Sequence, residues 1–314
     1  MKKMRVAVVQ DAPVLFNRAA TIEKVGDLTA TAASQGAQLV LFPEAFIPAY
    51  PRGLTFGTIV GSRTNTGRKT WYHYWNNSID LQGPEAQQLG AIARDNKVLL
   101  AIGVIEKDEV TGGTLYCSLV YFGPDGRLLG THRKLKPTAA ERIIWGEGDG
   151  TTLSTYDTPI GRIGGLICWE NYMPLARMAM YNKGVEVYLA PTADHRPTWQ
   201  STIQHIALEG RCYVLAANQY VTKAMYPKGL PGVEDLKHQP EVLSKGGSAI
   251  IGPLGEVIAG PLWDEAGILY AELDPVAMAE SKMDFDAAGH YQRPDVFSFG
   301  APQQPPIKPV EWRK

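Results

Sequence analysis

The apolar positions of the chain fall into short continuous runs separated by segments of helical period. Val6, Ala7, Val8 and Val9 form the first run, which reads as a buried strand. Ile22, Val25, Leu28 and Ala32 follow at helical spacing, and Gly36 lies just past them as a stop signal. Residues 39–42 are a second apolar run, ending at Pro43-Glu44. Strand, helix, strand is the opening of an α/β layer structure. The pattern then predicts a helix over 84–96, with Pro84 suited to its first turn. Runs at 98–105 and 115–122 predict two strands, and Gly123-Pro124-Asp125-Gly126 predicts a tight turn into 127–130.

The second half repeats this grammar: a strand over 162–168, a helix over 169–182 with Gly184 past its end, and a strand over 185–190. A helix over 198–210 and a strand over 213–217 come next. Residues 248–251 then lead through Gly252-Pro253-Leu254-Gly255 into 256–259, which pairs back. The two Gly-Pro turns look alike and occupy similar places. The pattern therefore predicts two pseudo-symmetric α/β halves whose sheets stack, each sheet buried between layers as near-continuous apolar strands require.

Two stretches interrupt the pattern. Residues 45–83 are rich in aromatics (among them Phe46, Tyr50, Phe56, Trp71 and Trp75) without a clear period, and 221–245 is also irregular. Long irregular insertions in a compact domain are usually functional. The expected organisation is one domain over 1–293 carrying both insertions. A Pro-rich, polar arm or tail covers 294–314.

Composition narrows the class. Of 314 residues, 45% are hydrophobic and 20% charged, which excludes disorder for most of the chain. Lys and Arg total 31 against 32 Asp and Glu, so the net charge of −1 argues against nucleic acid or an anionic membrane as partner. It also gives little repulsion between copies, so self-association is expected. Three cysteines do not make a disulfide framework and suit a reducing compartment. The N-terminus lacks a secretory pattern, and the longest apolar stretch, 98–105, is too short to span a membrane. A cytoplasmic location is expected.

The chain has no Gly-x-Ser-x-Gly elbow, P-loop or dinucleotide fingerprint. Its six histidines show no paired-ligand spacing, and Asp194-His195 reads as a loop hydrogen bond, so no metal is expected. Cys168 sits at a strand-to-helix turn, where N–H groups and the helix dipole lower a thiol pKa and offer an oxyanion site. Cys117 and Cys212 fall in or beside strands and read as packing residues. Glu44 follows a strand end, Lys134 lies just past another, and Glu141 comes seven residues later. Each alone reads as an ordinary surface charge. Together, Glu, Lys and Cys at strand ends can supply a base, a cation and a nucleophile without a histidine.

Three segments resemble the catalytic motifs of the carbon–nitrogen hydrolase, or nitrilase, superfamily in order and separation. They are Leu41-Phe42-Pro43-Glu44-Ala45-Phe46, His132-Arg133-Lys134-Leu135-Lys136-Pro137-Thr138 and Leu166-Ile167-Cys168-Trp169-Glu170. Cys-Trp-Glu resembles the nitrilase branch in particular, as do residues 141–150 and 289–295. Lys136 stands where many nitrilases have Met. The resemblance implies an αββα sandwich that dimerises into a longer stack and extends into spirals. It implies hydrolysis of a nitrile to a carboxylic acid and ammonia, without cofactor or metal. It assigns Glu44 as base, Cys168 as nucleophile, Lys134 as charge stabiliser and Glu141 as a fourth member of the site. Tyr50, Trp145 and Trp169 suggest an apolar substrate pocket, for aromatic or arylaliphatic nitriles first and aliphatic nitriles second. An amidase or carbamoylase with the same triad, and a non-catalytic scaffold, are the rival readings.

Overall fold

Successive residues of a strand point to opposite faces, and here both faces are buried. The computed structural model describes residues 3–301. Val6 and Val8 of the strand Met4–Gln10 pack in a layer shared with Leu189, Leu215 and Ile250. Their neighbours Ala7 and Val9 pack the other way, against Ile22 and Val25 of the helix Arg18–Ser34 and Leu89 of the helix Pro84–Asn96. On the far side, Tyr188 and Val214 meet Met180 of the helix Pro174–Asn182 and Ile203 and Ile206 of the helix Thr198–Gly210. Helices, sheet, sheet, helices is the expected αββα sandwich.

The two sheets share one plan. In the first, Met4–Gln10, Leu39–Leu41 and Leu99–Lys107 run parallel, then Leu115–Phe122 and Leu128–Arg133 follow antiparallel. In the second, Gly161–Gly165, Val187–Leu189 and Tyr213–Ala216 run parallel, then Val242–Ile251 and Val257–Trp263 follow antiparallel. The two Gly-Pro turns close equivalent hairpins. Gly126 N–H donates to Gly123 O and Gly255 N–H to Gly252 O, both at 2.9 Å. Gly126 and Gly255 have φ of 83° and 84°, a conformation that costs glycine nothing and any other residue strain.

Some boundaries differ from the sequence reading. The helix expected over 169–182 is split into a 3-10 turn, Cys168–Tyr172, and an α-helix that Pro174 begins. Residues 221–245 are less irregular than expected, since Tyr220–Thr222 pairs with Val242–Ile251. The strand Gly267–Leu273 was not anticipated. It pairs along the whole of Met4–Gln10 and brings the C-terminal part of the domain back to the start. The first insertion contains the helix Asn65–Asn76, capped by Thr64, whose hydroxyl accepts from Gly67 N–H at 3.0 Å. From residue 302 onward the expected C-terminal arm lies outside the described residues. No helix among the described residues is long and apolar enough to cross a membrane.

The insertions pack on each other. Tyr226 donates to Arg52 O at 3.0 Å, Thr70 to Pro231 O at 2.7 Å, and Thr55 to the Asp235 carboxylate at 2.7 Å. Phe56, Tyr226 and Leu230 are thereby buried, whereas Ile59 and Val60 remain exposed.

Candidate active site

Ligand sites in α/β sheets lie beyond the carboxyl ends of the parallel strands. Glu44 lies there, three residues past Leu39–Leu41. A side chain on Gly103 of the next strand would put its Cβ 2.3 Å from Pro43 O and 2.7 Å from Glu44 Cα, so the bare glycine lets the Glu44 elbow lie on the sheet. Gln219 of the opposite half donates from Nε2 to Glu44 O at 2.8 Å. Lys134 continues the strand Leu128–Arg133, its N–H bonded to Cys117 O at 2.8 Å. Glu141 sits on the 3-10 turn Ala139–Ile143. Cys168 follows the strand Gly161–Gly165 with φ of 52°, its N–H bonded to Pro191 O at 2.8 Å.

These four side chains meet. Lys134 Nζ donates to Glu44 Oε1 and Glu141 Oε2, each at 2.7 Å, and both Lys134 and Glu44 are fully buried. Glu141 also accepts from Thr138 N–H at 2.6 Å and from the Tyr50 hydroxyl at 2.7 Å. Glu44 Oε2 has no hydrogen-bond partner among the described residues. Two carboxylates therefore share one buried ammonium. Burial pushes the Glu44 carboxyl up, and Glu141 adds to the rise against the pull of Lys134. Burial works against the Lys134 ammonium, but Glu44 leads the negative groups that hold its pKa well above the ordinary value. The Cys168 thiol was expected low from its turn. Instead burial, with Glu44 second, raises it to about 12, outweighing Lys134. A resting thiol here is neutral and needs a base.

Cys168 and Glu141 line a cavity of about 220 Å³, together with Tyr50 and Trp169. Of the expected substrate contacts, Trp145 lines neither this cavity nor the adjoining one of about 430 Å³. It lies behind Tyr50, ring centroids 5.8 Å apart, with its face 5.6 Å from Lys134 Nζ. Its buried ring faces the cation.

Sequence reasoning missed the polar side of the cavity, formed by Arg52, Asp194, His195 and Arg196. Asp194 accepts from Trp169 Nε1 at 2.9 Å and is paired with Arg196, so Trp169 is held in place by charge. The sequence reads Asp194-His195 as a loop hydrogen bond, and nothing in the pattern places it against Trp169. The role of Glu170 was also missed. Its buried carboxylate accepts from Leu135 N–H at 2.7 Å, Ile167 N–H at 2.8 Å and His132 Nε2 at 3.0 Å. It thus ties the segment after Lys134 to the residue before Cys168. Glu170→Ala strands three buried donors and is expected to cost about 3–5 kcal/mol of stability in urea unfolding. A loss under about 1 kcal/mol, the worth of one ordinary hydrogen bond, would show the tie to be dispensable.

The carbon-nitrogen hydrolase family profile matches residues 5–283. The chain belongs to the carbon-nitrogen hydrolase family. Among relatives, an aliphatic nitrilase of Sinorhizobium fredii is 50% identical over 305 residues, 97% of each chain. A bifunctional nitrilase/nitrile hydratase of Lupinus angustifolius is 50% identical over 306 residues, 96% of this carbon-nitrogen hydrolase and 87% of that protein. Nitrilase 3 of Arabidopsis thaliana is 47% identical over 311 residues, 98% and 89% of the two chains. Among solved structures, Saccharomyces cerevisiae Nit3, a member of branch 10 of the nitrilase superfamily, has a TM-score of 0.72 at 22% identity. That match covers 93% of this carbon-nitrogen hydrolase and 97% of Nit3, and it shows the shared fold.

Proposed function

We propose that this protein is a nitrilase that converts a nitrile to a carboxylic acid and ammonia. The observation that carries the reading is the buried Glu44–Lys134–Glu141 cluster beside the one cysteine that lines the cavity. Relatives named as nitrilases, one of them matched over 97% of both chains, support it over the amidase and scaffold alternatives.

Glu44 takes the Cys168 proton, for which Oε2 is unencumbered. The thiolate attacks the nitrile carbon, one π pair passes to nitrogen, and a proton completes the thioimidate. Water activated by Glu44 adds to give a tetrahedral intermediate, which Lys134 stabilises with the Trp169 N–H as a second donor. Ammonia leaves, and a second water cleaves the thioester. Expulsion of the thiolate first gives the amide instead. Glu141, anchored by Tyr50 and Thr138, orients Lys134. An ammonia-release screen across nitriles and their matching amides tests this reading. Activity on the amides alone would overturn it. Arg52, Asp194, His195 and Arg196 favour a small nitrile with a polar far end over a purely aromatic one.

The pH profile follows from the sign of the Glu44 shift. The base acts deprotonated and its pKa is raised, so activity falls on acidification through a pKa above the ordinary carboxyl value of 4.5. A kcat/KM profile flat down to that value would remove Glu44 from the role.

We also infer a cytoplasmic homo-oligomer, at least a dimer and extending to a spiral filament. Aromatics of both insertions pair within the chain, Phe56 with Tyr74 and Tyr226 with Phe16, so little of the insertions is left for a subunit contact. The exposed Ile59-Val60 tip still supports a subunit contact. Light scattering of the parent is expected to give a mass above 34.3 kDa, reduced by Ile59→Asp with Val60→Asp. A fully active monomer would overturn the assembly.

A further inference from the structure

The thiolate of Cys168 forms where negative charge is already in excess. Glu44 and Glu141 share a single ammonium, and both short contacts of Lys134 Nζ are taken up by those carboxylates. The Lys134 charge favours the thiolate, and a hydrogen-bond donor to the sulfur itself comes from another segment. Thr192 is nearly fully buried, and its Oγ1 lies 3.1 Å from Cys168 Sγ.

Once the sulfur is a thiolate it carries no hydrogen, so across this contact only the Thr192 hydroxyl can donate. A hydroxyl has one hydrogen and two acceptor positions. Asp194 N–H donates to Thr192 Oγ1 at 2.9 Å, so one lone pair is occupied and the hydrogen is free to point at sulfur. The placement is rigid. Cys168 N–H is bonded to Pro191 O at 2.8 Å, one residue before Thr192, and Thr192 N–H is bonded to Ala217 O at 2.9 Å. Among the described residues no other side chain donates a hydrogen bond to Sγ.

We propose that Thr192 is a further catalytic residue, whose hydroxyl donates to the Cys168 sulfur and stabilises the thiolate when it forms and when it leaves. The inference rests on the nitrilase reading of the site. No proton is transferred from Thr192. The thiol proton goes to Glu44, the sulfur electron pair forms the S–C bond, and that pair returns to sulfur when the thioester is cleaved. The same donor thus serves attack and departure. A hydrogen bond to a charged group contributes more than one between neutral groups, and a donor fixed in advance needs no reorganisation.

The test is the rate of Cys168 alkylation by iodoacetamide at one fixed, mildly alkaline pH in the full chain, read by mass spectrometry of the Cys168 peptide. Thr192→Val is expected to lower that rate about tenfold, the thiolate fraction lost for a shift of one pH unit, and to lower kcat by about tenfold or more. Thr192→Ser keeps the hydroxyl and is expected to keep the parent rate. Thr192→Ala is read beside Thr192→Val, so misfolding of one still leaves a comparison with the serine variant. A folded Thr192→Val or Thr192→Ala protein with the parent alkylation rate overturns the inference, and so does a serine variant that slows as far as valine. If the parent alkylates Cys117 or Cys212 in preference to Cys168, the nucleophile assignment fails, a result distinct from failure of Thr192.

Discussion

Cys168→Ala is expected to abolish turnover while the fold stays intact. Removing a covalent nucleophile costs roughly 10⁵-fold or more, because no other group can form the acyl intermediate. The acidity of the thiols does not select among the three cysteines. Burial holds Cys168 and Cys212 up to about 12 and Cys117 well above its ordinary value. Selection comes from place. Cys168 lines the cavity, whereas Cys212 is sealed in the helix-facing layer with Tyr188 and Trp199. Cys117 is fully buried behind Glu44, its Sγ 3.7 Å from Oε1. Cys117→Ala and Cys212→Ala are therefore expected to keep most activity, with Cys117→Ala the more affected because it touches the base. Cys168 lines the cavity, so alanine enlarges that space without leaving a closed void, and the thermal midpoint is expected to hold. Ammonia release by folded Cys168→Ala within tenfold of the parent would refute the assignment.

What could be read from the sequence was whatever repeats or carries its chemistry locally. Apolar strands such as Leu115–Phe122 are legible because both faces are largely buried, so only Ser118 interrupts the run. The helix Thr198–Gly210 is legible because Ile203, Ile206 and Ala207 share one face. The helix Asn65–Asn76 was not, since its buried residues are Gly67, Thr70 and Tyr74 and its other aromatics, Trp71, Tyr72 and Trp75, stack on one another without full burial. Gly267–Leu273 is an edge strand only partly covered, so its apolar signal is weak and its partner lies over 250 residues away. The same division holds in the site. Glu44, Lys134 and Cys168 announce themselves at strand ends. Glu170, Thr192 and Asp194 act through contacts between segments distant in the chain, and a bare pattern of residue types does not hold that information.

Lys134 offers the sharpest test of how the cluster works, because its removal changes charge, chemistry and stability together. Lys134→Met keeps the length of the side chain and removes the ammonium. Two buried carboxylates then face each other without a cation, and one must bind a proton. Lys134 lowers the Glu44 pKa, so its loss raises that pKa further. A higher pKa on a base that acts deprotonated leaves less of the active form at pH 7. The acid limb of the kcat profile is therefore expected to move to higher pH, with some activity recovered on alkalinisation. On the plateau a deficit of about 10²–10³ remains, the usual scale for losing one stabiliser of an oxyanion. Breaking a buried ion pair on one side is also expected to cost about 3–5 kcal/mol of stability, measured by urea unfolding. Lys134→Arg should not restore the rate. The ammonium is fully buried with 2.7 Å contacts on two sides and the Trp145 ring on a third, and a planar guanidinium cannot present the same point charge there. Full activity in Lys134→Arg, or an acid limb in Lys134→Met that coincides with the parent, would show that neither the point charge nor its hold on Glu44 matters to the reaction.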